Sequence, residues 1–226
     1  MKTNKVLLRS AGGITQIPDS QKLFGALMYL YAEDRGSEKA TALAQAVLHN
    51  ELEISLSNVM PDGYLPTPQD YLIDKLWERP DTQESLKQKR KAIKDRSYIT
   101  LAELRKIWDA PEEAEDLFPY VKLEDFQQLR ASIQSDQYGM PGLESNLYSV
   151  PTVVPIKIDS KQDYENPNSK KNVVRDFSFY LCVDDNADAD DFAETINKAA
   201  EKKRIVILGK RASQGLNLFE LQSFSP

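Results

Sequence analysis

An α+β fold is predicted by three features of the 226-residue sequence. Apolar residues recur at helical spacing in residues 21–32, 38–49 and 189–201, whereas residues 52–57 and 176–183 alternate as strands do. These elements fall in the order strand, helix, strand at the start of the chain, and again at its end. Between them, from 61 to 175, the sequence changes character and repeats neither pattern. Strand–helix–strand taken twice is the ferredoxin-like (RRM-like) split βαβ. The chain therefore divides into residues 1–60, the first half of that domain, 61–175, an insertion, and 176–226, the second half.

In the first half, residues 5–9 read as a short strand closed by Ala11-Gly12-Gly13. Leu23, Leu27, Leu30 and Tyr31 mark one face of the first helix, which Asp19 or Ser20 caps. Gly25 inside it predicts the close approach of a neighbouring backbone, because glycine there costs about 1 kcal/mol relative to alanine. Ala40, Leu43, Ala44 and Val47 form the stripe of a second helix, and Leu52-Glu-Ile-Ser-Leu-Ser57 follows as a strand.

The insertion opens with the turn-rich Pro61-Asp-Gly-Tyr-Leu-Pro-Thr-Pro68. Residues 82–94 are polar and end strongly basic, and Thr100-Leu-Ala-Glu103 is a capping box that starts a short helix. Residues 123–133 carry apolar side chains at helical spacing and are expected to form another. Residues 136–151, rich in Gly, Ser and Pro, read as a flexible loop, 151–159 as extended chain, and 160–172 as a polar, mobile segment. The insertion is thus expected to be mixed but mainly helical. In the second half a strand over 176–183 leads to an Asp-capped helix over 189–201, then to a glycine-rich loop and a last strand.

Composition excludes several classes of function. A net charge of −6 argues against a protein that coats nucleic acid unaided. The charge is segregated, however: acidic residues crowd into 112–116 and 184–191, and basic ones into 87–94, 170–171, 202–204 and 210–211. The single cysteine, Cys182, excludes an intrachain disulfide and suits a reducing compartment. The apolar run after Met1 is too short for a signal peptide, and no 18-residue apolar stretch occurs. A cytoplasmic protein without a membrane span is expected.

The chemistry concentrates in Gly209-Lys210-Arg211-Ala212-Ser213-Gln214-Gly215. Gly209 and Gly215 permit positive φ and close backbone approach. Lys210, Arg211, Ser213 and Gln214 between them all donate hydrogen bonds that suit phosphate oxygens. A plain turn with solvated charges is the competing reading. A Walker loop is excluded, because no Lys-Ser/Thr pair follows the second glycine. Free amides at the start of the first helix, around Ser20, Gln21 and Lys22, offer a second anion site. Lys89, Arg90, Lys91, Lys94 and Arg96 are either a solvated helix face or an RNA contact, with Tyr98 behind them able to stack on a base. His49, the only histidine, ends a helix without a partner group, so no catalytic residue is expected. The aspartates at 184–191 lack EF-hand spacing and favour a capping role, and no metal or cofactor is expected.

Four stretches together resemble a known family. Asp19-Ser-Gln-Lys-Leu-Phe-Gly-Ala-Leu27, Ser57-Asn-Val-Met-Pro-Asp-Gly-Tyr-Leu-Pro-Thr-Pro68, Lys89-Arg-Lys-Ala-Ile-Lys-Asp-Arg-Ser-Tyr-Ile-Thr100 and the glycine loop follow the order seen in RAMP subunits. The resemblance is to the fourth subunit of the type III-A, or Csm, CRISPR effector complex. The sequence departs from that pattern in Arg9-Ser-Ala-Gly-Gly13, and in Leu208 and Asn217, where the family favours glycine. The resemblance implies non-catalytic binding of the crRNA 5′ tag at one end of the complex. Its partners would be the large signalling subunit and the first backbone subunit, with target RNA reached indirectly through the insertion. It assigns phosphate contacts to Gly209, Lys210, Arg211, Ser213, Gln214 and Gly215, with Arg9, Ser20 and Lys22 as secondary contacts. An RNA-processing endonuclease on the same fold, and a structural adaptor without RNA contact, are the alternatives.

Overall fold

The computed structural model describes residues 1–77, 83–132, 146–166 and 171–226. The chain begins β1 (Lys2–Ser10), α1 (Ser20–Arg35), α2 (Ser37–Leu48), β2 (Ile54–Leu56), β3 (Met60–Pro61) and β4 (Tyr64–Pro66). It continues through α3 (Gln69–Trp77), α4 (Gln83–Asp95), β5 (Tyr98–Thr100), α5 (Leu101–Asp109), β6 (Tyr120–Ser132), β7 (Asn146–Ile158), α6 (Lys161–Glu165) and β8 (Asn172–Val173). It closes with β9 (Asp176–Val183), α7 (Ala187–Glu201), β10 (Ile205–Ile207) and β11 (Leu218–Ser225). The fold is α+β with two antiparallel sheets.

The first sheet runs β10-β11-β1-β9-β2, with β3 also on β9, and all its pairs are antiparallel. Set aside the short β3 and the edge strand β10, and the last strand neighbours the first, the first neighbours the third and the third neighbours the second. Every strand in this sheet comes from the two ends of the chain. Val6, Leu8, Phe177, Phe179, Leu181, Phe219 and Leu221 project to one face, where Leu23 and Leu27 of α1 and Phe192 and Ile196 of α7 meet them. Each such side chain, fully buried, contributes about 1.5–3 kcal/mol of transfer free energy. The period-2 and period-3.6 patterns read from the sequence meet in this one core.

Details of these helices differ from expectation. The Asp19 carboxylate caps α1 by accepting from the Lys22 amide at 2.9 Å. Gly25 does not receive a neighbouring backbone: a Cβ placed there would meet nothing within 4 Å. The cap of α7 is Asn186, which accepts from the Ala189 amide, rather than an aspartate. Asp188 and Asp190 stand in the first turn of α7, where the helix dipole favours them, and Asp185 and Asp190 pair with Lys2 and Asp191 with Arg35.

The largest correction concerns the insertion. Beside the helices α3 to α6 it holds a second, five-stranded sheet of order β4-β5-β6-β7-β8 that the sequence reading did not anticipate. Residues 123–132, expected to be helical, lie in β6, which pairs with β7 over thirteen positions from Tyr120↔Ile158 to Ser132↔Asn146. Residues 146–151, expected to be loop, are the first half of β7; the rest of that expected loop lies outside the described residues. Part of the segment expected to be mobile is α6, capped by Ser160. Pro151 and Pro155 sit in β7 at no cost to the β6 ladder. Val153 between them donates outward to the Ile14 carbonyl, so residues of that parity aim their nitrogens away from β6, where a proline loses nothing.

A small second core of Leu72, Ile93, Ile99, Ile107, Ala114, Leu117 and Tyr120 packs α3, α4 and α5 against the base of this sheet. Arg96, read from the sequence as surface, is buried there. Its guanidinium lies 5.1 Å from the Phe118 ring centroid and 4.6 Å from that of Tyr120, and it donates to the carbonyls of Ala92 and Leu117. Burial pulls the pKa of Arg96 below its ordinary value. No helix among the described residues is long and apolar enough to cross a membrane.

Candidate nucleic-acid interface

The glycine loop links β10 to β11 and takes its shape from left-handed residues. Arg211 (φ 67°) and Gly215 (φ 76°) bracket a single 3-10 turn, Ala212–Gln214, and Asn217 (φ 58°) ends the loop. Asparagine is the side chain that best tolerates this region after glycine, which explains how Asn217 stands where the resembling family favours glycine. Leu208, the other departure, is fully buried and anchors the loop's start in the first core.

Asn217 is also the clamp of the loop. Its buried amide oxygen accepts from the Thr15 backbone at 2.9 Å, and its amide nitrogen donates to the Lys210 carbonyl at 2.7 Å and to Thr15 Oγ1 at 2.9 Å. Gly209 presses on that amide, so a Cβ there would come within 2.9 Å of Asn217 Cγ. Gly12 is packed still more tightly, because its own Cβ would fall 2.0 Å from the Gly215 carbonyl oxygen. The Asn217 amide donates to Gly13 O, and Gly13 pairs with Leu216.

Clamping at both ends leaves the middle of the loop open. Among the described residues, the amides of Gly209, Lys210, Arg211, Ala212 and Ser213 have no hydrogen-bond acceptor. The side chains of Lys210 and Ser213 are exposed and likewise have no hydrogen-bond or ion-pair partner there. Successive free amides beside a left-handed residue form a concavity suited to anions. A lysine next to it adds a point charge for phosphate.

The insertion supplies the opposite wall. Arg211 lies 5.7 Å from the Tyr148 ring centroid on β7, and Gln214 accepts from Arg130 Nη1 of β6 at 3.2 Å and donates to the Tyr148 hydroxyl. Arg9, Ser20 and Lys22 are not joined to the loop by any hydrogen bond or ion pair among the described residues. Arg9 faces Asp176 at 3.7 Å. At the start of α1, the Ser20 amide donates to Asn58 and the Lys22 amide to Asp19, so protein acceptors already occupy those donors. The Lys22 ammonium pairs with Asp19 and holds that carboxyl below its usual range. His49 is exposed at the end of α2. Among the described residues no group of three or more His, Cys, Asp or Glu could hold a metal ion.

Asn217, Thr15, Gly12, Tyr148 and Arg130 escaped the sequence reading. Only Asn217 carried a signal, as an asparagine just past a glycine turn. The others meet the loop across 66 to 202 residues of chain, in the case of Tyr148, Arg130 and Thr15.

No family model and no curated protein matches the chain. Among solved structures the fold is similar to one described as a Csm1-Csm4 cassette in complex with cA4, with TM-score 0.47 and 14% identity over 81% of this chain and 60% of that one. It is also similar to the Type III-B Cmr-beta bound to cognate target RNA, with TM-score 0.44 and 8% identity over 99% of this chain and 59% of that one. This chain thus spans about 60% of the length of the chains it matches.

Proposed function

We propose that this chain is a non-catalytic subunit of a type III CRISPR effector, of the III-A kind, that holds the crRNA 5′ tag. One observation carries the proposal. The glycine loop is fixed at both ends by Asn217 and Gly12, while its middle amides have no acceptor among the described residues and Lys210 and Ser213 are exposed. Such a concavity holds phosphates without reading bases, which is the positioning part of nucleic-acid binding. The strand order of the first sheet, with α1 and α7 on one face, supports the ferredoxin-like reading of the chain's two ends. On this reading the large signalling subunit and the first backbone subunit flank the chain, and the β6–β7 hairpin is the part that reaches towards target RNA. Cleavage by an RNA-processing endonuclease on the same fold is the alternative.

The test is binding of 5′-tag RNA across a salt series. Lys210→Ala with Arg211→Ala should weaken binding and flatten the plot of log K against log salt by roughly 1.4, at about 0.7 per single-strand phosphate contact. Unchanged affinity and slope would leave the loop a turn and favour the adaptor reading. Parallel incubation with repeat RNA, with and without divalent metal, should give no cleavage.

A further inference from the structure

The β6–β7 hairpin carries two aromatic rings on one face, each covered by a cation. Phe126 pairs across the ribbon with Thr152, and Tyr148 with Arg130, so the β-period places both rings on the same side. They stand four residues apart along the ribbon, roughly 13 Å at strand rise. Arg211 of the glycine loop lies over Tyr148, and Lys171 lies 5.5 Å from the Phe126 centroid while pairing with Glu124. Between the rings, Val150 on β7 is fully buried, whereas Gln128 on β6 is exposed and accepts from Arg130. Phe126 is 44% exposed, unusual for a phenylalanine with two sheets at hand to cover it.

We infer that this face is a nucleobase platform, on which Tyr148 and Phe126 each stack one base of a single-stranded RNA whose phosphates enter the glycine loop. The inference rests on the single-strand reading given above and adds to it the two residues that hold bases. An exposed cation–π contact is weaker than base–aromatic stacking, so an incoming base displaces Arg211 or Lys171 from its ring. The released cation is then beside the phosphate of that same nucleotide, where a guanidinium or ammonium is better satisfied. The local charge fits this occupant: Lys171 and Arg211 lie at the rings, Arg130 stands opposite Tyr148, Lys210 adjoins Arg211 in the chain, and Glu124 is paired with Lys171.

The experiment uses the full chain and eight-nucleotide single-stranded RNAs of mixed sequence, each with 2-aminopurine at a different position. Fluorescence of this base falls when it stacks on an aromatic ring. Quenching is expected at two positions; Tyr148→Leu should abolish one and Phe126→Leu the other, each with roughly 10-fold weaker binding. Tyr148→Phe should retain the signal, since the ring and not the hydroxyl does the stacking. The salt slope should stay at the parent value in all three, and circular dichroism should match the parent. If RNA binds with that slope but no position is quenched, or if the leucine variants keep the signal, the platform is overturned and the loop reading survives. If the parent binds none of the RNAs, both fall.

Discussion

The two sheets of this protein solve burial in opposite ways. The first is covered on one face by α1 and α7, and Phe177, Phe179 and Phe219 on it are fully removed from water. The second has helices at its base, where seven buried residues form the core, and β6 and β7 run on beyond them with many more side chains exposed, Val150 apart. Phe126 and Leu129, three residues apart, lie on opposite faces of β6, and both are exposed. A helix would have gathered them on one side. Apolar side chains left in water on a ribbon are poor for stability and good for contact. The comparison teaches that the first sheet is the scaffold and the second is a tool held by it.

The largest effect that tests this contrast is a cavity in each core. Phe192→Ala removes a fully buried ring packed edge-on to Tyr31, 5.6 Å between centroids, and should cost about 3–5 kcal/mol in chemical denaturation. Ile107→Ala in the smaller core should cost about 2–3 kcal/mol, because a thinner layer collapses more easily into the gap. Equal costs would break the contrast. Asn217→Ala comes next. It strands the Lys210 carbonyl and the Thr15 amide and puts a left-handed φ on alanine, for about 2–3 kcal/mol. Asn217→Gly should recover the backbone part alone, and tag RNA binding measured alongside should fall in both variants.

A smaller effect is reached by titration. Burial first, and then the hydrogen bond to Asp191, push the Tyr31 hydroxyl up from 10.0 to about 12. The folded state therefore keeps this proton where the unfolded chain has lost it. Stability should be full below pH 10 and decline as pH rises from 10 to about 12, by at most about 2 kcal/mol. Tyr31→Phe should remove that part of the decline in alkaline denaturation curves. The smallest change has the opposite sign. Gly25→Ala fills open space on an exposed helix position and should raise stability by up to about 1 kcal/mol, seen as a higher denaturation midpoint. A loss instead would mean that a partner approaches α1 at that glycine.

Those elements whose burial obeys their own local period were legible in the sequence. Leu23, Leu27, Leu30 and Tyr31 repeat at helical spacing and all face the first core; Phe177, Phe179, Leu181 and Val183 alternate and do the same. β6 was not legible, because Leu123, Phe126 and Leu129 are spaced for a helix. Here pairing with β7, rich in valine and proline, overrides local preference. The loop's composition suggested its chemistry, and its left-handed turns follow from Gly215 and Asn217. Its clamp was hidden, since Thr15 reaches Asn217 only through the folded sheet.

Gly13 and Ile14 are neighbours in the chain but bridge to different places: Gly13 pairs with Leu216 at the end of the glycine loop, and Ile14 pairs with Val153 in the middle of β7. The single peptide unit between them is a fulcrum. From Val153 to the described end of β7 at Asn146, the ribbon is an arm of roughly 24 Å. A load at the arm's far end, whether strand or neighbouring subunit, would reach the loop through that unit and through the Gln214 bonds to Arg130 and Tyr148. Geometry alone makes the loop feel what the ribbon touches.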